Sequence, residues 1–283
     1  MLLLPAFLSV IFLLAYPLYL VFTLALNERV GINFLQTREM NFGFANFEMV
    51  LTDNRTWHAV WNTVVYTAGS IIPAFLIGLA LALLLNRQFP ARRWIRSLIF
   101  LPWAVPGVIV SITFLWMLNT SFGVVNAQLR NLGIISGEIG WYTDPDVAMF
   151  SVILPTIWKG FPFFALTMLA ALQAIPATLY EAARLDGATK FQLFRFVTWP
   201  GIRGPAVLVL ILQTLWVMRE FDIPFATTGG GPAGATETLG LLIYDEAFSY
   251  FRVGNAAALG VLLLLMALAI IVFARGPLRK EYF

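Results

Sequence analysis

Cysteine is absent from all 283 residues, and histidine occurs once, at His58. The first absence removes disulfides, zinc–thiolate and iron–sulfur ligation, and any cysteine nucleophile. The second removes a multi-histidine metal site, and a Ser-His-Asp triad would have to use His58 itself. Charge is scarce too: 12% of residues are Asp, Glu, Lys or Arg, against about a quarter in an average soluble domain. So few charges cannot coat a water-facing surface of this size, and the chain is too apolar for disorder. What is present is hydrophobic: 60% of the sequence, with a mean hydropathy of +0.82. An integral membrane protein is what these limits leave. The net charge of +3 and pI near 9.3 then read as loops on the inner side of a membrane, not as a nucleic-acid surface.

A spanning helix needs roughly 20 apolar residues. Residues 2–26, 59–85, 97–118, 204–218 and 253–274 carry no charge, and 147–175 carry one, Lys159. These predict six transmembrane helices in an all-α protein. The first stretch lacks a basic leading region and a small-x-small cleavage site, and is too long for a signal peptide's core, so a retained span is expected. Its missing basic flank suggests that a short N-terminal extension was trimmed. Arg87, Arg92, Arg93, Arg96, Arg184, Lys190, Arg195, Arg203, Arg275, Arg279 and Lys280 fall on one set of loops; Arg29, Arg38, Arg55, Arg130 and Arg252 fall on the other. The positive-inside rule makes the richer set cytoplasmic and puts both termini there. The outer loops hold ten acids, among them Glu28, Glu39, Glu138, Glu237, Asp245 and Glu246. Residues 1–58 are then a first span with its outer loop, and 59–283 the core. The glycine-bearing outer segment 119–146 is expected to fold back along the surface, and Gly229 to Glu237 to form a flexible turn. Trp57, Trp141 and Tyr142 are expected in an outer aromatic belt, and His58 at the interface. No internal repeat is evident, which counts against many secondary carriers.

The inner loop between the fourth and fifth spans, 176–200, carries the most information. Thr178 with Glu181, and Thr189 with Gln192, have capping-box spacing, so two short helices are expected, separated by Asp186-Gly187 and closed by Pro200. Ala182 and Ala183 leave room for a close approach. Leu185, Phe191, Phe194 and Phe196 are apolar outside the bilayer. From the residues alone, docking on a partner and lying on lipid fit equally well.

Glu181-Ala-Ala, then Gly187, then Trp199-Pro200 where Leu-Pro is usual, resembles the EAA loop of binding-protein-dependent ABC importer permeases. Leu101-Pro102 with Pro106, Trp158-Lys-Gly-Phe-Pro162, Gly-Gly-Gly-Pro232, Ala-Thr-Glu-Thr238 and Tyr244 follow in the order of the carbohydrate-uptake branch, as in the maltose-type first permease subunit. The resemblance covers roughly residues 60 to 275 and implies a type I importer permease fold. It implies a subunit without catalytic residues, metal or cofactor of its own, in a bacterial or archaeal cytoplasmic membrane. Its partners would be a sister permease, two cytoplasmic ATPases that hold ATP and Mg, an extracytoplasmic binding protein, a sugar and membrane lipid, with no nucleic acid. The absence of a G-x-x-x-x-G-K-[ST] phosphate loop agrees. Glu181, Ala182, Ala183, Arg184, Asp186 and Gly187 would form the ATPase-coupling element.

The resemblance places sugar contacts on Lys159, Gly160 and Phe163, and on Gln213, Trp216, Val217, Glu220 and Asp222. The residues themselves agree in part: 213, 216, 217 and 220 share one helical face. Lys159 inside a span is a functional candidate by default. Two bland readings stand beside this: Lys159 snorkelling or pairing with Glu220 or Asp222, and Trp216 as packing. Gly160 and Pro162 are expected to break the fourth helix. A permease for glycerol-3-phosphate or another small organic solute is the alternative within the class. A stand-alone carrier would lack a reason for the EAA loop, and an intramembrane enzyme lacks a nucleophile–base pair or metal ligands at membrane depth.

Overall fold

The computed structural model describes residues 11–27 and 41–279, the last five of them by backbone alone. The first nine residues of the first predicted span, Glu28, Arg29, Arg38 and Glu39 of its outer loop, and Lys280 lie outside the described residues. The described residues are helical, apart from turns and one β-bridge from Asn27 to Phe42. Bilayer lipid offers no hydrogen bonds, so long apolar stretches satisfy their backbone internally as helices. In order these are α1 (Ile11–Leu26), α2 (Ala45–Thr52), α3 (Asn54–Leu85), α4 (Arg92–Ala104), α5 (Gly107–Met117) and α6 (Val124–Asn131). They continue with α7 (Pro145–Gln173), α8 (Ala177–Leu185), α9 (Lys190–Met218), α10 (Asp222–Thr227), α11 (Leu239–Tyr244) and α12 (Val253–Arg279).

The described residues do not confirm the count of six spans. Among the described residues, four helices are long and apolar enough to cross a membrane: α3, α7, α9 and α12. The third predicted span is two helices, α4 and α5, bent by 95°, and counts as a fifth only if the pair is taken together. Pro106 causes the break. It lacks an N–H for the ladder and pushes Val105 to an extended conformation, φ −77° and ψ 131°. By contrast α7 runs unbroken through Pro155 and Pro162, so the break expected at Gly160 and Pro162 does not occur.

The chain forms two compact units. The first contains residues 1–63 and 237–269. Its core is small: Ala25, Val50, Ala59, Leu239, Leu242, Ala257, Ala258, Leu259 and Val261. It also holds a charged cluster. Arg55 donates to both carboxylate oxygens of Glu237, at 2.9 and 2.6 Å, and to Asp245 at 3.1 Å, with its guanidinium 5.4 Å from the Tyr250 ring centroid. Glu237 is buried while Arg55 is about one-third exposed. Arg55→Ala therefore leaves a buried carboxylate without its fork of donors, and is expected to destabilise by roughly 1–3 kcal/mol. Thermal unfolding in detergent checks this; a midpoint equal to wild type would make the cluster idle. Arg55→Met with Glu237→Met should recover part of the loss.

The second unit contains residues 64–236 and 270–283. Its core gathers Tyr66, Phe75, Phe164, Met168, Leu169, Ile202 and Ile223 among others. Helices α3 and α7 approach closely at Gly78, where an added Cβ would meet Phe164 Cβ at 2.5 Å and the backbone of Phe161 and Ala165 at 2.9 Å. Small residues permit such approaches in membrane proteins. Segment 119–146 is ordered around Asn126, which is buried and accepts from Trp141 Nε1 at 2.8 Å. Trp141 is thus buried and not part of an aromatic belt. Burial also pushes the neighbouring Tyr142 hydroxyl pKa up. The glycine-rich turn is pinned, not loose: Thr228 and Thr236 hydroxyls meet at 2.6 Å, and Thr236 donates to Gly231 O at 2.7 Å.

A candidate substrate wall and coupling element

The segment 176–200 departs from the expected helical pair. Helix α8 begins directly after Pro176, with no side-chain cap, so Thr178 lies inside its first turn and forms no capping box. Pro176, at φ −59°, already sets the chain for entry. The helix ends as expected: Gly187 adopts φ +79°, with Gly187 N–H donating to Arg184 O and Ala188 N–H to Ala183 O, both at 3.0 Å. The second capping box is present. The Thr189 hydroxyl accepts from Gln192 N–H at 3.4 Å, and the Gln192 side chain accepts from Thr189 N–H at 2.7 Å. The helix it opens does not stop at Pro200. It passes through a wide π-helical turn, Phe194–Thr198, and continues as α9 to Met218. The wider turn fits because Pro200 has no N–H to give the regular ladder.

Of the residues expected to couple, Glu181, Ala182, Arg184, Asp186 and Gly187 are exposed and Ala183 is half-buried. Leu185 is 89% exposed and Phe191 69%. Tyr180 ties α8 to α9 through Thr198, hydroxyl to hydroxyl at 3.0 Å.

A cleft opens between α7 and α9, with a volume of about 70 Å³. Helix α7 presents Thr156, Lys159, Gly160 and Phe163; α9 and the residues after it present Gln213, Trp216, Val217 and Glu220; Trp103 and Ile223 complete the lining. Each of the two main walls has i, i+3, i+4, i+7 spacing, one helical face. Glu220 sits in the short break after α9, where its N–H still donates to Val217 O at 3.0 Å. Arg219 lies over Trp216, 5.9 Å from its ring centroid. Trp103 and Phe163 stack at 6.4 Å and 25°.

The structure brings together Lys159, Gly160, Phe163, Gln213, Trp216, Val217 and Glu220. Asp222 is not on this wall. It opens α10, which packs where Gly107 begins α5: a Cβ on Gly107 would lie 3.3 Å from Asp222 Cβ. Lys159 makes no ion pair within 4 Å among the described residues, so the alternative reading in which it pairs with Glu220 or Asp222 is not met. Sequence reasoning missed Trp103, Thr156 and Ile223. Thr156 was within reach, three residues before Lys159 on the same face. Trp103 joins only through the bend at Val105.

Residues 74–275 match the family described as "Binding-protein-dependent transport system inner membrane component". The chain is 35% identical to a trehalose/maltose transport system permease protein, MalF, of Thermococcus litoralis over 244 residues, covering 84% of this chain and 81% of that one. It is 34% identical to a sulfoquinovosyl glycerol transport system permease protein, SmoG, of Agrobacterium fabrum, covering 95% and 86%. Its fold superposes on a bacterial ABC transporter involved in alginate import with a TM-score of 0.85 at 24% identity, covering 100% of this chain and 95% of that one. With the family matched across α7, the coupling-type segment, α9 and α12, the chain belongs to the inner-membrane permease components of binding-protein-dependent transport systems and has the type I importer permease fold.

Proposed function

We propose that the chain forms half of the translocation path for a sugar, working with a second permease, two cytoplasmic ATPases and an extracytoplasmic binding protein. The observation that carries the reading is the composition of the cleft. Trp103, Phe163 and Trp216 offer flat apolar faces to a pyranose ring, while Lys159, Gln213, Thr156 and Glu220 offer hydrogen bonds to its hydroxyls. At about 70 Å³ the cleft is far smaller than the roughly 300–1,000 Å³ of a ligand pocket, which suits one wall of a path closed by a sister subunit. The names of the similar permeases, for trehalose/maltose and sulfoquinovosyl glycerol, point the same way. A compact anion such as glycerol-3-phosphate would use Lys159 but leave the aromatic faces idle and meet Glu220.

The exposed α8 with Leu185, together with Phe191 at the start of α9, is the surface offered to an ATPase, on the cytoplasmic side, where the arginine-rich loops and both termini also lie. ATP and Mg would be held by those partners.

The test is ATP hydrolysis by the complex co-purified from its native membrane. The cognate binding protein is added with maltose, trehalose, sulfoquinovosyl glycerol or glycerol-3-phosphate. Stimulation by a sugar is expected. Stimulation by glycerol-3-phosphate alone would keep the importer and overturn the sugar. Failure of any ATPase to co-purify under conditions that preserve complexes would count against the partnership itself.

A further inference from the structure

The cleft is supported from behind by a third helix. Tyr66 of α3 is 1% exposed, and its hydroxyl lies 2.7 Å from Thr156 Oγ1 on the cleft wall. Thr156 has a second neighbour, Val152 O, at 3.4 Å, the long limit of a hydrogen bond. A threonine hydroxyl has one proton and two lone pairs and rotates to suit its partners. Without Tyr66, only the weak bond to Val152 would hold the Thr156 rotor. With Tyr66, one of its lone pairs or its proton is committed, and the remainder is aimed.

A stability role alone does not account for this tyrosine. Phenylalanine would fill the same space in the core without a hydroxyl to desolvate. Hydrogen bonds between membrane helices contribute only modestly to stability. What the hydroxyl does supply is direction, to a group on the cleft wall.

We propose that Tyr66 is a positioning residue for transport: by fixing the Thr156 hydroxyl, it sets which substrate hydroxyl the cleft recognises. This rests on the sugar reading of the cleft. Tyr66 does not touch substrate; Thr156 does.

The test uses the whole complex in proteoliposomes, with the binding protein saturating and fully loaded, so that the permease limits uptake. The probes are the panel sugar that stimulates ATP hydrolysis most and its single-deoxy analogues. In wild type, one analogue should move about three- to tenfold more slowly than the parent, the size of one hydrogen bond. In Tyr66→Phe the parent should fall to that analogue's rate, while the ratios for the other analogues stay unchanged. Thr156→Val should give the same pattern, and the double variant no more than either single one.

An equal fall for every sugar would mean a structural role and overturn the proposal. So would unchanged rates in Tyr66→Phe, or a wild type indifferent to every deoxy analogue. Trp216→Ala separates this from the reading beneath it. If Trp216→Ala leaves rates and selectivity untouched, the cleft is not the path and both readings fall. If Trp216→Ala alters them and Tyr66→Phe does not, only the role of Tyr66 falls.

Discussion

Gly78→Val is expected to abolish folding of the second unit. A Cβ at this position would sit 2.5 Å from Phe164 Cβ and 2.9 Å from both Phe161 O and Ala165 N. Two of those atoms are backbone of α7, which cannot rotate aside as a side-chain tip would. Relief requires the two helices to separate, and Phe75 and Phe164, packed edge-on at 5.7 Å, would lose their contact. The expected loss is about 3 kcal/mol or more, a large share of any domain's net stability. It should appear as low yield, aggregation in mild detergent and rapid proteolysis. Gly137→Ala is the matched control, since nothing lies within 4 Å of a Cβ there. Wild-type yield and unfolding for Gly78→Val would show that α3 and α7 are not packed this way.

The second large effect is functional. Gly187→Val should cut transport by tenfold or more and abolish stimulation of ATP hydrolysis, while the protein still inserts and accumulates. Space is not the obstacle, because nothing lies within 4 Å of a Cβ on Gly187. Conformation is: φ is +79°, a region costing a β-branched residue on the order of 1–2 kcal/mol. Relief of that strain would undo the bonds from Gly187 and Ala188 that end α8 and would re-aim the helix. Gly187→Asn tolerates the left-handed region better and should retain most uptake. Normal transport in the valine variant would remove α8 from coupling.

What the sequence made legible was local. The resemblance singled out Gln213, Trp216, Val217 and Glu220, and helical spacing agreed by putting them on one face; the same spacing applied one turn back from Lys159 would have added Thr156. Thr189 with Gln192 announced a real cap. Thr178 with Glu181 did not, because Pro176 had already started the helix. Proline was ambiguous for a physical reason. Pro106 stands at a 95° bend between two helices, whereas Pro155 and Pro162 are buried inside α7, which continues through both. Long-range pairings were out of reach. Arg55 and Glu237 are 182 positions apart, and nothing in either segment names the other. Trp141, in a turn, read as an interfacial aromatic because its partner, Asn126, lies fifteen residues back on α6.

The unbroken passage from Thr189 into α9 has a mechanical consequence. Lys190–Met218 is 29 residues, a rod of roughly 43 Å at 1.5 Å per residue. One end lies beside α8 and the other carries Gln213 and Trp216. Such a rod is a lever. A tilt of about 10° about its middle displaces each end by roughly 4 Å, more than a hydrogen bond is long. Force applied near Lys190 would therefore reach the aromatic wall within a single element, with no intervening loop to absorb it.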